Sequence, residues 1–341
     1  MKKLIFVSPY FYPHRGGVEK HVAEVSEVLV KRGWKITILT AQDSAEESLN
    51  EKTPVATIIR IPHSALRSKI EVWKWIKDYF VNVATDTIIH VHDVGWWLVP
   101  FFFTKKKNNF YITFHGWEGK FPVPWQSKLQ RKLLAVLTAG NIHVGGYISE
   151  FYWDKPDSTI YGGTDIVSSV DLSPISIKKP HFVFVGRLEQ ENAIEMYLEF
   201  FKNLKLKNIS PKITWVGDGN YRTQCEELGF VTGMVGDVKK YLKVADFVCA
   251  TSYLSILDAQ ASCKVVCAMY QHDLKKRYLE TYPGVDGVLV SGSANDLSFQ
   301  VIDIISDKNE YFNTVKCATR YASKTTWSEV VDVYEKLWSK N

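Results

Sequence analysis

The stretch ADFVCATSYLSILDAQASCKVVCAMY, residues 245–270, decides how the chain reads. Phe247, Val248 and Cys249 form a short apolar run suited to a strand buried on both faces. Thr251 to Tyr253 break it, and Ser255 is expected to cap a helix over residues 256–262 with Asp258 at its third position. Val265 to Ala268 then read as the next parallel strand. The first amides of such a helix lack intrahelical partners and sit at the positive end of its dipole, so they suit an anion. Asp258 in that first turn is placed to accept hydrogen bonds from a sugar hydroxyl. Taken in isolation, an ordinary βαβ unit with a capping acid is the simpler account.

Outward from this unit the same alternation recurs. Leu4 to Val7 reads as a strand, SPYFYPHRGG (residues 8–17) as a loop, and Val18 to Arg32 as a helix ended by Gly33. Lys35 to Leu39, Ile58 to Ile61, Ile88 to His92 and Phe110 to Phe114 continue as strands, the last leading into His115-Gly116. The pattern loosens over Ser168 to Lys179, as a linker would. It restarts with His181 to Val185, a Gly-Arg turn, a helix over Glu195 to Leu204 and a strand over Lys212 to Val216. Ser328 to Trp338 is amphipathic. Short apolar strands alternating with helices predict an α/β fold of two tandem, Rossmann-like, doubly wound parallel sheets. The expected domains are residues 1–172 and 173–322, with a closing helix in 323–341. Ligands of such sheets bind outside the carboxyl ends of the strands, and two such edges facing across a cleft would make one site.

Composition narrows the class. The 341 residues are 46% hydrophobic and 23% charged, with net charge +5, too mild for a nucleic-acid binder but compatible with phosphate ligands or an anionic membrane face. The five cysteines form no CxxC pair and read as buried, reduced thiols of a cytoplasmic protein. Trp96 to Phe103, WWLVPFFF, is the most apolar run; it is far too short to span a membrane and is expected to be mostly core. His90 and His92 share one face of a strand, and without a third ligand in view they read as structural. Lys105 to Lys107 reads as a solvated turn.

Glycines stand where an anion would be met. Gly16-Gly17 follow the first strand, Gly186-Arg187 the first strand of the second sheet, and Gly217-Asp218-Gly219 another strand, each a place where backbone amides can approach a ligand closely. None fits GxGxxG with a downstream acid or GxxxxGK[ST], so nicotinamide and P-loop readings fall away.

In order along the chain stand FYPHRGGVEKHV, HVHDV, TFHG, YISE, YGGTD, FVGRLEQ, WVGDG, LDAQASCKVV and TWSEVVDVYEKLW. Together they resemble the retaining glycosyltransferases of family 4, of GT-B fold, over nearly the whole length. The resemblance implies transfer of a sugar from a nucleoside diphosphate sugar to a glycan or lipid-linked acceptor with retention of configuration. It implies that Arg187 clamps the phosphates, by a geometry that suits a guanidinium, and that His115 is the active-site histidine of the first domain. It assigns donor binding to Gly16, Gly17, Gly186, Arg187, Gly217, Ser255, Ile256 and Asp258. The acceptor side falls to Glu19, His115 and Trp117, and catalysis to His115, Arg187 and Asp258. The closing helix would return to the first domain. No Asp-x-Asp pair occurs, so neither a metal nor another cofactor is expected.

Two positions depart from the family. Asn192-Ala193 stand where it usually places Lys-Gly, and Ala250 stands eight residues before Asp258, where its first acid would be. Lys264 or Arg222 would be substitutes for the missing charge. A rival reading is a catalytically inactive sugar-nucleotide-binding subunit that partners an active transferase; another is an epimerase acting on the same donors. KFPVPWQSKLQRKLL, residues 120–134, joins two prolines and aromatics to a basic amphipathic helix, which suits peripheral contact with a membrane interface. Folding of Phe121 and Trp125 as a lid over a soluble glycan is the competing account.

Overall fold

The computed structural model describes residues 2–101, 110–117, 119–164 and 178–340. The Lys105–Lys107 turn, Phe102, Phe103, Asp165 and the linker up to residue 177 lie outside the described residues, as does the expected boundary at 172. The chain divides into two compact units, Met1–Ile160 with Trp327–Asn341, and Tyr161–Thr326.

In the first unit the apolar runs become strands β1 (Lys3–Val7), β2 (Lys35–Ala41), β3 (Asn50–Lys52), β4 (Thr57–Ile61), β5 (Ile88–His92), β6 (Phe110–Phe114), β7 (Gly140–Val144) and β8 (Ser158–Ile160). They form one sheet in the order β3-β4-β2-β1-β5-β6-β7-β8, parallel except for the β3–β4 pair. Helices α1 (Gly17–Lys31), α2 (Lys69–Val81), α3 (Trp125–Leu137) and α4 (Ile148–Phe151) connect them. Leu4, Ile5, Phe6 and Val7 are all buried, as a central strand covered on both faces requires. Of the WWLVPFFF run, Trp97, Leu98 and Phe101 are buried.

In the second unit β9 (His181–Val185), β10 (Lys212–Val216), β11 (Phe230–Val231), β12 (Phe247–Cys249), β13 (Val265–Met269) and β14 (Val288–Ser291) form a parallel sheet. Its order is β11-β10-β9-β12-β13-β14. Helices α5 (Ile194–Leu206), α6 (Arg222–Glu226), α7 (Lys239–Val244), α8 (Tyr253–Ala261), α9 (Asp273–Glu280), α10 (Ala294–Ser306) and α11 (Lys308–Ala322) wind around it. Aromatic rings fill its core. Phe182 stacks on Phe247 at 4.9 Å, and Trp215 packs against Phe184 and Phe201. Each such fully buried ring contributes on the order of 1.5–3 kcal/mol. Cys249 lies opposite Cys267 across β12 and β13; burial, with its neighbour's help, holds the Cys249 thiol far above its usual pKa. All five cysteines are free.

Helix α12 (Trp327–Trp338) packs back on the first unit along α1. Arg32 joins Asp332 at 2.6 Å and Glu335 at 2.7 Å, and Trp34 Nε1 donates to Glu335 at 2.8 Å. No helix among the described residues is long and apolar enough to cross a membrane.

Candidate active site

Strand order builds the edge of the second sheet. The loops after β9, β12 and β13 leave the carboxyl ends of three adjacent parallel strands, and winding reverses between β9 and β12, where α/β sheets take ligands. The loop after β12 starts α8, but not where expected. The N-cap is Ser252, in extended conformation, and its hydroxyl donates to Ser255 Oγ at 2.9 Å. Ser255 is therefore the third helical residue rather than the cap. The cause is tertiary: the Tyr253 amide donates to Tyr278 Oη at 2.8 Å, and the two rings stack at 3.9 Å. The Ile256 amide closes the first turn on the Ser252 carbonyl and the side chain is buried. The helix-start amides left for a ligand are thus those of Leu254 and Ser255. Asp258 moves to the sixth helical position, half-buried, where its Oδ1 accepts from Thr164 Oγ1 at 2.8 Å.

Gly186 and Arg187 leave β9 beside this helix start. The Gly186 amide donates to the Val216 carbonyl, and a Cβ on Gly217 would overlap the Gly186 carbonyl. Only glycine allows that close approach of the two strand ends. Arg187 extends into solvent with its side chain 68% exposed and pairs with Glu191 at 2.6 Å. Asn192 is held at both ends of its amide: Nδ2 donates to the Arg187 carbonyl at 2.8 Å, and Thr251 Oγ1 donates to Oδ1 at 3.0 Å. It laces the β9 and β12 loops together, which no lysine ammonium can do with both a donor and an acceptor. Of the two proposed substitutes for the missing lysine, Lys264 turns away from this edge and Arg222 is taken up by its own neighbours. Lys264 Nζ donates to the Lys243 carbonyl at 3.2 Å, and Arg222 pairs with Asp218 and Glu226.

A different lysine does face it, and neither motif nor periodicity singles it out. Lys275 lies in the first turn of α9, its amide donating to His272 Nδ1 at 3.3 Å. Its ammonium sits 4.6 Å from the centre of the Tyr278 ring. Burial lowers its pKa to about 8, with Glu191 pulling upward and Arg187 downward.

In the first unit, Gly16 caps α1 and Gly17 is its first residue. A Cβ on Gly16 would overlap the Glu19 carboxylate. Glu19 is buried and pairs with His14 at 3.1 Å. His115 leaves β6; its amide donates to Asp93 Oδ1 at 2.9 Å, and its Nε2 shares a hydrogen bond with His92 Nδ1 at 2.7 Å. Burial lowers the His115 pKa to about 3, so at neutral pH its ring is an uncharged hydrogen-bonding group. Trp117 stands half-buried two residues on. Behind them, Trp338 Nε1 donates to His90 Nδ1 at 3.0 Å, and His90 Nε2 lies 2.7 Å from Thr113 Oγ1. Only a neutral His90 with its proton on Nε2 satisfies both. Tyr334 Oη lies 3.0 Å from both Thr113 Oγ1 and His21 Nε2. His90 and His92 are therefore parts of a buried network. Among the described residues no group of three or more His, Cys, Asp or Glu is placed to hold a metal.

Helix α3 presents Trp125, Leu129 and Leu133 to solvent, Trp125 being 60% exposed. With Trp96 and Val99 they line an apolar groove of about 380 Å³. Arg131, expected on the basic face, is instead buried. It donates to the Gly116 carbonyl and lies over the Tyr152 ring at 3.9 Å. A guanidinium that donates to a carbonyl and lies on a ring face tolerates burial that a lysine would resist.

Residues 15–143 match the family described as Glycosyltransferase Family 4, and residues 179–307 match Glycosyl transferases group 1. A short stretch of 37 residues is 46% identical to one subunit of the human phosphatidylinositol N-acetylglucosaminyltransferase; it spans 11% of this chain and only 8% of that protein. The fold is similar to that of sucrose-phosphate synthase from Thermosynechococcus elongatus, with TM-score 0.78 at 15% identity and all of both chains covered. It is also similar to Anabaena HepE in complex with UDP, with TM-score 0.73 at 16% identity over 99% of this chain and 100% of that one.

Proposed function

Because the chain belongs to the family 4 glycosyltransferases of GT-B fold, we propose that it transfers a sugar from a nucleoside diphosphate sugar to a glycan or lipid-linked acceptor, with retention of configuration. The observation that carries this reading is the convergence of Arg187 and the start of α8 on adjacent strand ends, β9 and β12. Both are suited to a diphosphate: Arg187 by charge and bidentate geometry, the Leu254 and Ser255 amides by direction. Gly186 and Gly217 keep the backbone low beneath the ligand, and Asp258 takes the ribose hydroxyls.

In the reaction the bond from the anomeric carbon to the diphosphate oxygen breaks, and its electron pair stays on the diphosphate. The acceptor oxygen bonds to the same face of that carbon, and its proton passes to the departing diphosphate. Charge on the leaving group grows along this path, so cations aimed at it stabilise the transition state more than the ground state. These groups replace a metal ion in this reading. In the first unit, neutral His115 hydrogen-bonds an acceptor hydroxyl, Trp117 packs against the acceptor, and Glu19 lies on the same side. The exposed stripe of α3 carries the protein to an anionic membrane surface where a lipid-linked acceptor is presented.

A screen of nucleotide sugars with and without acceptor tests this. The expected result is acceptor-dependent release of nucleoside diphosphate, unchanged by EDTA, with the product's anomeric proton signal matching the donor's configuration. Inversion in the product, or loss of turnover on chelation, would overturn those parts of the reading. Binding without any turnover would favour the inactive-subunit reading, whose support is that Asn192 is spent on lacing two loops rather than meeting a ligand.

A further inference from the structure

We propose that Lys275 supplies the second positive charge of the diphosphate site, closing it from the side opposite Arg187. The inference rests on the donor site being where the previous section puts it, on the carboxyl edge of the second sheet. Strand order is the first argument. β12 lies between β9 and β13, so the α8 start that follows β12 is flanked by Arg187 after β9 and by Lys275 after β13.

Side-chain geometry is the second. Lys275 Nζ rests on the ring of Tyr278, and the hydroxyl of that ring accepts the first amide of α8. Tyr253 Oη in turn donates to the Tyr278 carbonyl at 2.6 Å. The ammonium is thereby fixed to the helix start by a stacked, doubly bonded tyrosine pair. A flexible lysine stem held in this way loses less entropy on meeting a ligand.

The charges facing Lys275 are the third argument. Arg187 and Glu191 both act on it electrostatically from the β9 loop, while His272 and Tyr278 belong to its own helix. Lys275 thus stands within electrostatic range of a carboxylate that pairs with Arg187, and the Arg187–Glu191 pair is solvent-exposed on both sides, a kind of pair that is easily exchanged. An incoming diphosphate replaces Glu191 as the partner of Arg187 and gives Lys275 an anion to meet. As the bond to the anomeric carbon breaks and its electrons stay on the phosphate oxygen, Lys275 and Arg187 meet the added charge together. A lysine in this place does the work that Asn192, committed to its two hydrogen bonds, cannot do.

Burial that holds the Lys275 pKa near 8 gives the proposal a signature. A bound diphosphate favours the ammonium and raises that pKa, so binding above about pH 8 must take up a proton. Titration calorimetry with UDP, GDP and inorganic pyrophosphate at pH 8.5, in two buffers of different ionisation enthalpy, measures this uptake. Wild-type protein is expected to take up a fraction of a proton. Lys275→Met is expected to bind roughly ten- to a hundredfold more weakly with no uptake. Lys275→Arg is expected to keep the affinity and lose the uptake, because a guanidinium does not titrate there. Wild-type binding that Lys275→Met leaves equal in affinity and proton uptake overturns the role of Lys275 and leaves the donor site standing. Absence of wild-type binding to all three probes overturns the donor site and this inference with it. If Lys275→Met does not fold, Lys275→Arg with unchanged proton uptake is enough to reject the proposal.

Discussion

Arg187 makes one ion pair with a neighbour four residues along and otherwise projects into solvent, which is a poor use of an arginine unless an anion arrives. Arg187→Ala should therefore lower turnover more than it weakens donor binding, because the charge it meets grows in the transition state. Steady-state kinetics beside nucleotide titration measure the split, and unchanged turnover would remove Arg187 from the mechanism. Asp258 has a second duty, accepting from Thr164, so alanine alone confounds the two. Asp258→Asn keeps an acceptor for Thr164 and removes the charge. Both variants should weaken nucleotide binding, Asp258→Ala by about ten- to a hundredfold, as loss of a charge-assisted hydrogen bond of roughly 1.5–3 kcal/mol implies. Wild-type affinity in both would return Asp258 to a purely structural role. The place of Arg187 at the end of a strand was legible in the sequence because its glycine and strand neighbours are local. The surroundings of Lys275 were not, since it sits in an ordinary-looking helix start and meets Arg187 and Glu191 only through the sheet's strand order.

At the scale of the element, α3 divides its basic residues between two tasks. Arg131 holds the Gly116 carbonyl from beneath, whereas Lys128 reaches over the Trp153 ring at 5.9 Å and accompanies the exposed Trp125, Leu129 and Leu133. Co-sedimentation with anionic liposomes should show binding that falls steeply with salt and with Lys128→Glu and Lys132→Glu together. Arg131 is left unchanged in that test, because its replacement would loosen the loop that carries His115. No binding at low salt would leave the stripe to serve as a lid for a soluble glycan. The helical period of this segment was plain from sequence. Which of three adjacent basic positions turns inward depends on the Gly116 carbonyl and the Tyr152 ring, which only folding brings there.

At the scale of the whole molecule, the closing helix completes the first unit, and four histidines make that completion pH-dependent. Burial holds His21, His90 and His92 well below their usual pKa, and His115 at about 3. Unfolded, these imidazoles take up protons near pH ~6.5. Between these limits the unfolded chain binds more protons, so their contribution is present above about pH 6.5 and is lost as pH falls toward 3. A protonated His90 also cannot accept from Trp338. Melting temperature followed by circular dichroism should decline steadily below about pH 6.5; a flat profile from pH 7 to pH 5 would contradict the buried, neutral network. Tyr334→Phe should cost roughly 1–3 kcal/mol at pH 7, since it strips a shared hydroxyl from His21 and Thr113. Equal denaturation midpoints for Tyr334→Phe and wild type would show that the hydroxyl contributes nothing.

The sequence by itself determined the two parallel sheets, the positions of their central strands, the closing helix and the family, because those signals are local: short apolar runs, helical periods and glycines at strand ends. Tertiary structure decided the rest. Helix α8 begins at Tyr253 instead of after Ser255 because Tyr278, far along the chain, accepts its first amide. Asn192 ties two loops rather than meeting a ligand because Thr251 donates to it across the sheet edge. Lys275 faces Arg187 and Glu191 because β13 pairs with β12, and β12 with β9. Strand order is a property of the whole sheet, and no window of sequence contains it.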